Sequence, residues 1–134
     1  QGTQYTYSQT TLVAEGWNDD LKQIQEVLKL RFQLNFNSVL LNLYRDGQDS
    51  MGWHSDNEKE LGAEPIIASI SLGAARTLQF RQKDNHKTKA SILLESGSLL
   101  LMQGDTQELW QHQIAKTKKV KTPRINLTFR IIQP

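Results

Sequence analysis

The chain has no cysteine among its 134 residues. This excludes a disulfide framework, a thiolate zinc site and a cysteine nucleophile, so any bound metal must rest on His, Asp, Glu or water. The absence is compatible with the cytosol. An excess of one charge is missing too: 16 Lys and Arg face 14 Asp and Glu, a formal net charge of +2. Bulk electrostatics therefore does not announce a nucleic-acid partner, and any such contact must come from local clusters. Apolar runs such as Ile66 to Leu72 and Ser98 to Met102 fall far short of the roughly 20 residues that cross a bilayer. No basic, apolar, small-residue leader follows Gln1, so a soluble chain without a membrane role is expected. Internal repeats and low-complexity segments are also lacking, which argues against a solenoid or a disordered tail. What remains fits one globular domain. Its start at Gln1 rather than Met reads as a start inside a longer protein.

One stretch is helical. Asn18 suits an N-cap, Asp19 and Asp20 place negative charge in the first turn, and Leu21, Ile24, Val27 and Leu28 recur at helical spacing until Arg31. Its expected task is to cover one face of a sheet. After Asn37 the pattern changes to short strands: Val39 to Tyr44, Gly52 to Asp56, Ile66 to Leu72, Thr77 to Arg81, Lys89 to Leu94, Ser98 to Met102, Leu109 to Ile114 and Arg124 to Ile132. Breakers such as Arg45-Asp46-Gly47, Gly62 to Pro65 and Lys116 to Pro123 separate them. No helices intervene between the later strands. The fold class is therefore mainly β with an N-terminal helix, as a double-sheet jelly roll.

Chemistry concentrates in few places. His54 and Asp56 in Trp53-His54-Ser55-Asp56, with His112 far downstream, would supply two imidazoles and a carboxylate, the facial triad of non-haem iron oxygenases. A lone His-x-Asp also arises in surface turns. His86, in a charged turn, reads as solvated. In the last strand, a period of two puts Arg124, Asn126, Thr128 and Arg130 on one face and Ile125, Leu127, Phe129 and Ile131 on the other. That is either an edge strand with a wet face or a polar lining. The two arginines would lie roughly 20 Å apart along a straight strand, so they could share one dicarboxylate only if the strand curves. Asn42 and Tyr44 share a face in the first strand in the same way. Polar groups on such strands need partners, which a bound anion or a buried network would provide.

In order and spacing, several blocks resemble the AlkB family of Fe(II)- and 2-oxoglutarate-dependent dioxygenases: Asn42 to Gly47, Gly52 to Glu58, Pro65 to Gly73, Arg76 to Lys83, Gly97 to Met102, Trp110 to His112, and Arg124 to Arg130. The likeness covers about Tyr5 to Ile131 and is greatest to the branch that repairs alkylated bases. It implies a double-stranded β-helix, with Fe(II), 2-oxoglutarate and O2 as cofactors. His54, Asp56 and His112 would hold the iron. Arg124, helped by Tyr44, would pair with the distal carboxylate of 2-oxoglutarate, and Arg130, Asn42 and Asn126 would surround its keto end. Glu58 would face the flipped base, and Tyr5 would match an aromatic residue of the nucleotide lid. Arg76 and Arg81 match arginines common in the branch, with a substrate or structural role.

The resemblance further implies oxidative demethylation of 1-methyladenine or 3-methylcytosine in DNA or RNA, releasing formaldehyde, succinate and CO2. Such an enzyme must flip the base or act on single strands. Lys116, Lys118, Lys119, Lys121 and Arg124 form one basic cluster, and Arg81, Lys83, Lys87 and Lys89 another. They read as phosphate contacts or as solvated loops. Residues 1–37 would be a residual lid with a supporting helix, and residues 38–134 the jelly-roll core. Family members carry a longer segment before Tyr5, so part of the lid is expected to be missing. An intracellular monomer is expected. Three alternatives remain open: the same chemistry on a protein or lipid, a non-catalytic jelly-roll binding module, and a zinc hydrolase that would leave the arginine strand unexplained.

Overall fold

A computed structural model describes residues 10–13 and 16–134. Helix α1 spans Asp19–Phe32, with Asn18 Oδ1 accepting the Leu21 N–H at 2.9 Å. The expected cap therefore forms. The helix closes on Gln33, which takes a left-handed conformation at φ 58° while its N–H bonds the Lys29 carbonyl.

Nine strands are found among the described residues: β1 (Thr10–Val13), β2 (Ser38–Tyr44), β3 (Met51–His54), β4 (Ile67–Gly73), β5 (Arg76–Gln82), β6 (Lys89–Leu94), β7 (Leu99–Met102), β8 (Trp110–Ile114) and β9 (Arg124–Arg130). They form two sheets, ordered β1-β2-β9-β4-β7 and β3-β8-β5-β6, in which every neighbouring pair is antiparallel. The eight expected strands are all present. The ninth, β1, pairs with β2 and lies in the stretch assigned to lid and helix.

Several strand ends differ from expectation by one or two residues, the last strand stopping at Arg130 instead of Ile132, and two of the differences bear on the site. The strand expected over Gly52 to Asp56 stops at His54, and the register with β8 shifts between Met51 and His54, so Asp56 sits in a loop. The strand expected from Leu109 begins at Trp110, because the one-turn helix α2 (Thr106–Leu109) precedes it. A three-residue 3-10 turn at Lys59–Leu61 was also not anticipated.

The wet-edge reading of β9 is overturned. It lies at the centre of the larger sheet, between β2 and β4. Its apolar face, with Leu127 and Phe129, packs beneath α1 in a cluster with Trp17, Leu21, Leu28, Phe36, Val39 and Ala68. Trp17 and Phe36 meet the Phe129 ring edge-on at 5.6 and 6.3 Å. The opposite face turns inward between the sheets. Two smaller apolar clusters fill that interior, one around Tyr44, Leu78, Leu94 and Ile114 and one around Leu61, Ile67 and Met102. Both faces of β9 are thus covered from Leu127 to Phe129, while Ile125 stays exposed, and Arg124, Asn126 and Thr128 turn into the roll, where they need partners.

Candidate active site

A cavity between the sheets is lined by His54, Asp56, His112, Tyr44, Ser69, Arg124, Asn126 and Thr128, with Met51, Leu78, Leu94, Met102 and Ile114 as its apolar walls. β3 and β8 place the two histidines opposite each other in register, with ring centres 4.2 Å apart. Asp56 reaches them from its loop: Oδ1 lies 3.9 Å from His54 Nε2 and Oδ2 lies 3.5 Å from His112 Nε2. Ligand atoms of the three residues all fall within 4.8 Å of one another.

Electrostatics keeps this cluster ready for a cation. Burial pushes His54 below its ordinary value, and the neighbouring His112 adds to that. Its imidazole is thus held neutral, as a metal ligand must be. Burial alone would raise Asp56, but the side-chain interaction with His112, aided by the Arg130 charge, outweighs it and holds the carboxyl below its usual range. His54 Nδ1 sits 2.7 Å from the Gly52 carbonyl. Donating there fixes the tautomer and leaves Nε2 as the lone-pair nitrogen facing Asp56. Two nitrogens and a carboxylate oxygen suit Fe(II) with coordination positions left open.

Elsewhere in the cavity the surface is built for an anion. Arg124 is 1% exposed. Its Nη2 donates to Ser71 Oγ at 2.9 Å, while Nε and Nη1 are buried without a hydrogen-bond partner. Burial lowers its pKa, with Tyr44 opposing and the nearby Arg76 charge adding to the effect. A buried cation with two unspent donors is costly unless an anion meets it. The donor set therefore fits a carboxylate of a co-substrate. Beside it, Ser69 Oγ donates to Asn126 Oδ1 at 2.8 Å, and Asn126 Nδ2 donates to Thr128 Oγ1 at 3.0 Å. Asn42 is buried directly across from Asn126 in the β2–β9 register.

The remaining sequence candidates fall in different places. Arg130, at the far end of β9, contacts Glu58 at 3.4 Å and keeps a buried Nε without a hydrogen-bond partner. It influences Asp56 but does not line the cavity with Arg124. Glu58 is largely exposed. Arg76 is 2% exposed, and its guanidinium donates to the carbonyls of Asp46, Asp49 and Ala115. Of its two possible roles, this is the structural one. Arg81 lies outside the cavity, 4.2 Å from the centre of the Trp53 ring and bonded to Gln111. Tyr5 lies outside the described residues. Ser69 and Ser71 were missed, although the alternation in Ile-Ala-Ser-Ile-Ser-Leu-Gly puts both on the face that turns inward.

Comparison with known proteins decides the family. The model for the 2OG-Fe(II) oxygenase superfamily matches residues 1–130. The chain belongs to that superfamily. Membership implies Fe(II), 2-oxoglutarate and O2, as the resemblance did. The chain is 41% identical to human alpha-ketoglutarate-dependent dioxygenase alkB homolog 3 over 97% of its own length and 49% of the relative's. To human DNA oxidative demethylase ALKBH2 it is also 41% identical, over 98% of this chain and 53% of that one. It therefore spans about half the length of the curated relatives it matches. The solved structure of OsALKBH1 shares the fold at a TM-score of 0.59 and 23% identity, covering 87% of this chain and 63% of that one. Among the described residues no helix is long and apolar enough to cross a membrane.

Proposed function

We propose that this chain is the catalytic domain of a Fe(II)- and 2-oxoglutarate-dependent dioxygenase that removes N-alkyl groups, such as those of 1-methyladenine and 3-methylcytosine, from bases in DNA or RNA. One observation carries the reading. The His54, Asp56 and His112 cluster shares a single cavity with the unspent donors of Arg124, and relatives at 41% identity are named for this chemistry.

His54, Asp56 and His112 would hold the metal, and Arg124 with Tyr44 would anchor the distal carboxylate of 2-oxoglutarate. Asn42 and Asn126 would surround its keto end, with Arg130 approaching from beyond the cavity wall through its unpartnered Nε. With iron, 2-oxoglutarate and O2 bound, the site would supply the oxidising chemistry: one oxygen atom of O2 would enter succinate as CO2 leaves, and the other would enter a C–H bond of the N-methyl group. The resulting hemiaminal loses formaldehyde and returns the base. The protein orients these groups, offsets the dianion's charge and walls off water with Leu78, Leu94, Met102 and Ile114.

Nucleic acid as the substrate draws support from exposed basic residues. Lys83 and Lys87 lie between β5 and β6, and Lys116, Lys118, Lys119 and Lys121 lie between β8 and β9. Phosphate contacts of this kind predict steep salt dependence. Glu58 faces the base beside Arg130, and Arg81 with its stacked Trp53 flanks the substrate.

The deciding assay supplies iron, 2-oxoglutarate and methylated oligonucleotides, single- and double-stranded. Formaldehyde and succinate are expected in equal amounts. A folded, metal-binding chain that turns over none of them would overturn the nucleic-acid reading, and activity on a protein or lipid would then replace it.

A further inference from the structure

Of the three residues in the metal cluster, the carboxylate has the least regular support. β3 ends at His54, so Asp56 sits where no strand ladder fixes its backbone. Two hydrogen bonds replace that ladder, and both come from the junction of α2 and β8. Gln107 Oε1 accepts the Asp56 N–H at 2.7 Å, and Ser55 Oγ donates to the Trp110 carbonyl at 2.6 Å.

Gln107 is 1% exposed. Its amide can take only one orientation here, since an N–H turned toward the Asp56 N–H would set donor against donor. With the oxygen committed to Asp56, Nε2 lies 3.6 Å from Met102 Sδ, a weak acceptor that accommodates it. Burying this amide would be unfavourable without such partners. The same junction leads directly into β8, which carries His112. The carboxylate loop and the second histidine are thus tied to one structural unit.

We propose that Gln107 is a positioning residue of the metal centre. Its side-chain carbonyl fixes the Asp56 backbone so that the carboxylate offers one oxygen to each imidazole, at 3.9 and 3.5 Å. Ser55 assists by holding the preceding residue. Partners one step removed from a metal set its affinity by orienting the ligands. This inference rests on the reading that His54, Asp56 and His112 hold a divalent cation.

The test measures Mn(II) affinity of the full chain by the free-ion electron paramagnetic resonance signal, with a thermal melt of each variant alongside. The unsubstituted chain should bind one Mn(II), and Asp56→Ala should not. Gln107→Leu, which keeps most of the volume and removes the acceptor, should bind about 10- to 100-fold more weakly. Gln107→Glu restores an acceptor and should recover the affinity to within roughly threefold, on the same ligand-orienting argument. Should Gln107→Leu fail to fold, Gln107→Asn takes its place, as its carbonyl is one methylene too short to reach Asp56. Native Mn(II) affinity in the Leu or Asn variant would overturn the proposal, even if the melting temperature drops, since only a packing role would then remain. If the unsubstituted chain binds no Mn(II), the metal reading fails and the proposal falls with it.

Discussion

The guanidinium carbon of Arg124 lies 4.9 Å from the centre of the Tyr44 ring, inside the cavity that His54, Asp56 and His112 also line. The two residues face each other in the β2–β9 register, so the stacking is set by strand pairing. The guanidinium held there keeps Nε and Nη1 buried without a hydrogen-bond partner. Arg124→Met should raise the 2-oxoglutarate KM roughly 10- to 100-fold, the equivalent of losing about 1.5–3 kcal/mol of charge-assisted hydrogen bonding. Tyr44→Phe keeps the ring and should change KM by only a few fold. Steady-state titration of the co-substrate decides it, and an unchanged KM in Arg124→Met would remove this arginine from the anion site.

Under the proposed function, removing a proposed metal ligand should act differently from removing the proposed anion anchor. His54→Ala or Asp56→Ala takes away one of three donors and should abolish turnover at any 2-oxoglutarate concentration. Arg124→Met should regain rate when co-substrate is raised. Activity that survives in His54→Ala with iron in excess would show that the cluster is not the metal centre.

Much of this site was legible because strands write their faces into sequence with a period of two. Arg124, Asn126 and Thr128 share the cavity wall as the alternation requires. The pattern could not say whether that wall was wet or enclosed. Enclosure depends on β9 lying between β2 and β4 and on α1 covering Leu127 and Phe129, which are long-range pairings. Arg130 shares the inward face by parity yet ends beside Glu58, six residues along the strand from Arg124. Gln107 left no signal at all. It sits in a one-turn helix within a turn-like stretch, and its partner Asp56 is 51 residues away.

Phe129 anchors the outer layer, with no exposed surface and edge-on contacts to Trp17 and Phe36. Phe129→Ala should cost about 3–5 kcal/mol through lost burial and the cavity left behind. Urea denaturation measures this. A loss below about 1 kcal/mol would mean that α1 collapses into the gap and does not depend on this ring for its seating.

Acid should destabilise the metal-free chain from the cluster outward. The folded state holds His54 below the ordinary histidine value of 6.5 and Asp56 below the ordinary aspartate value of 3.8. The unfolded chain therefore binds more protons over each interval, and stability rises with pH there. Read downward, stability contributed by His54 begins to fall near pH 6.5, and that contributed by Asp56 falls only below about 3.8. Denaturation of the chelator-treated chain between pH 8 and 3 should show the first loss, and His54→Gln should flatten it. The same slope in both proteins between pH 7 and 5 would assign the loss to another group.

Gly47 should tolerate no side chain. Its N–H donates to the Val120 carbonyl and its carbonyl accepts the Thr117 N–H, both at 2.9 Å. A Cβ placed there would stand 2.0 Å from the Thr117 carbonyl oxygen, which is backbone and cannot swing aside. The turn is braced further by Asp49, whose carboxylate accepts from Arg45, and by the Arg76 bonds to Asp46 and Asp49. Because the strand entering this turn ends at Tyr44, displacement of the turn should reach the proposed anion site. Gly47→Ala should cost about 1–3 kcal/mol, as forced overpacking does, and should raise the 2-oxoglutarate KM. Gly16→Ala, where an added methyl meets nothing within 4 Å, is the control. Equal stability of the two variants in urea would show that the turn and the loop after β8 separate freely.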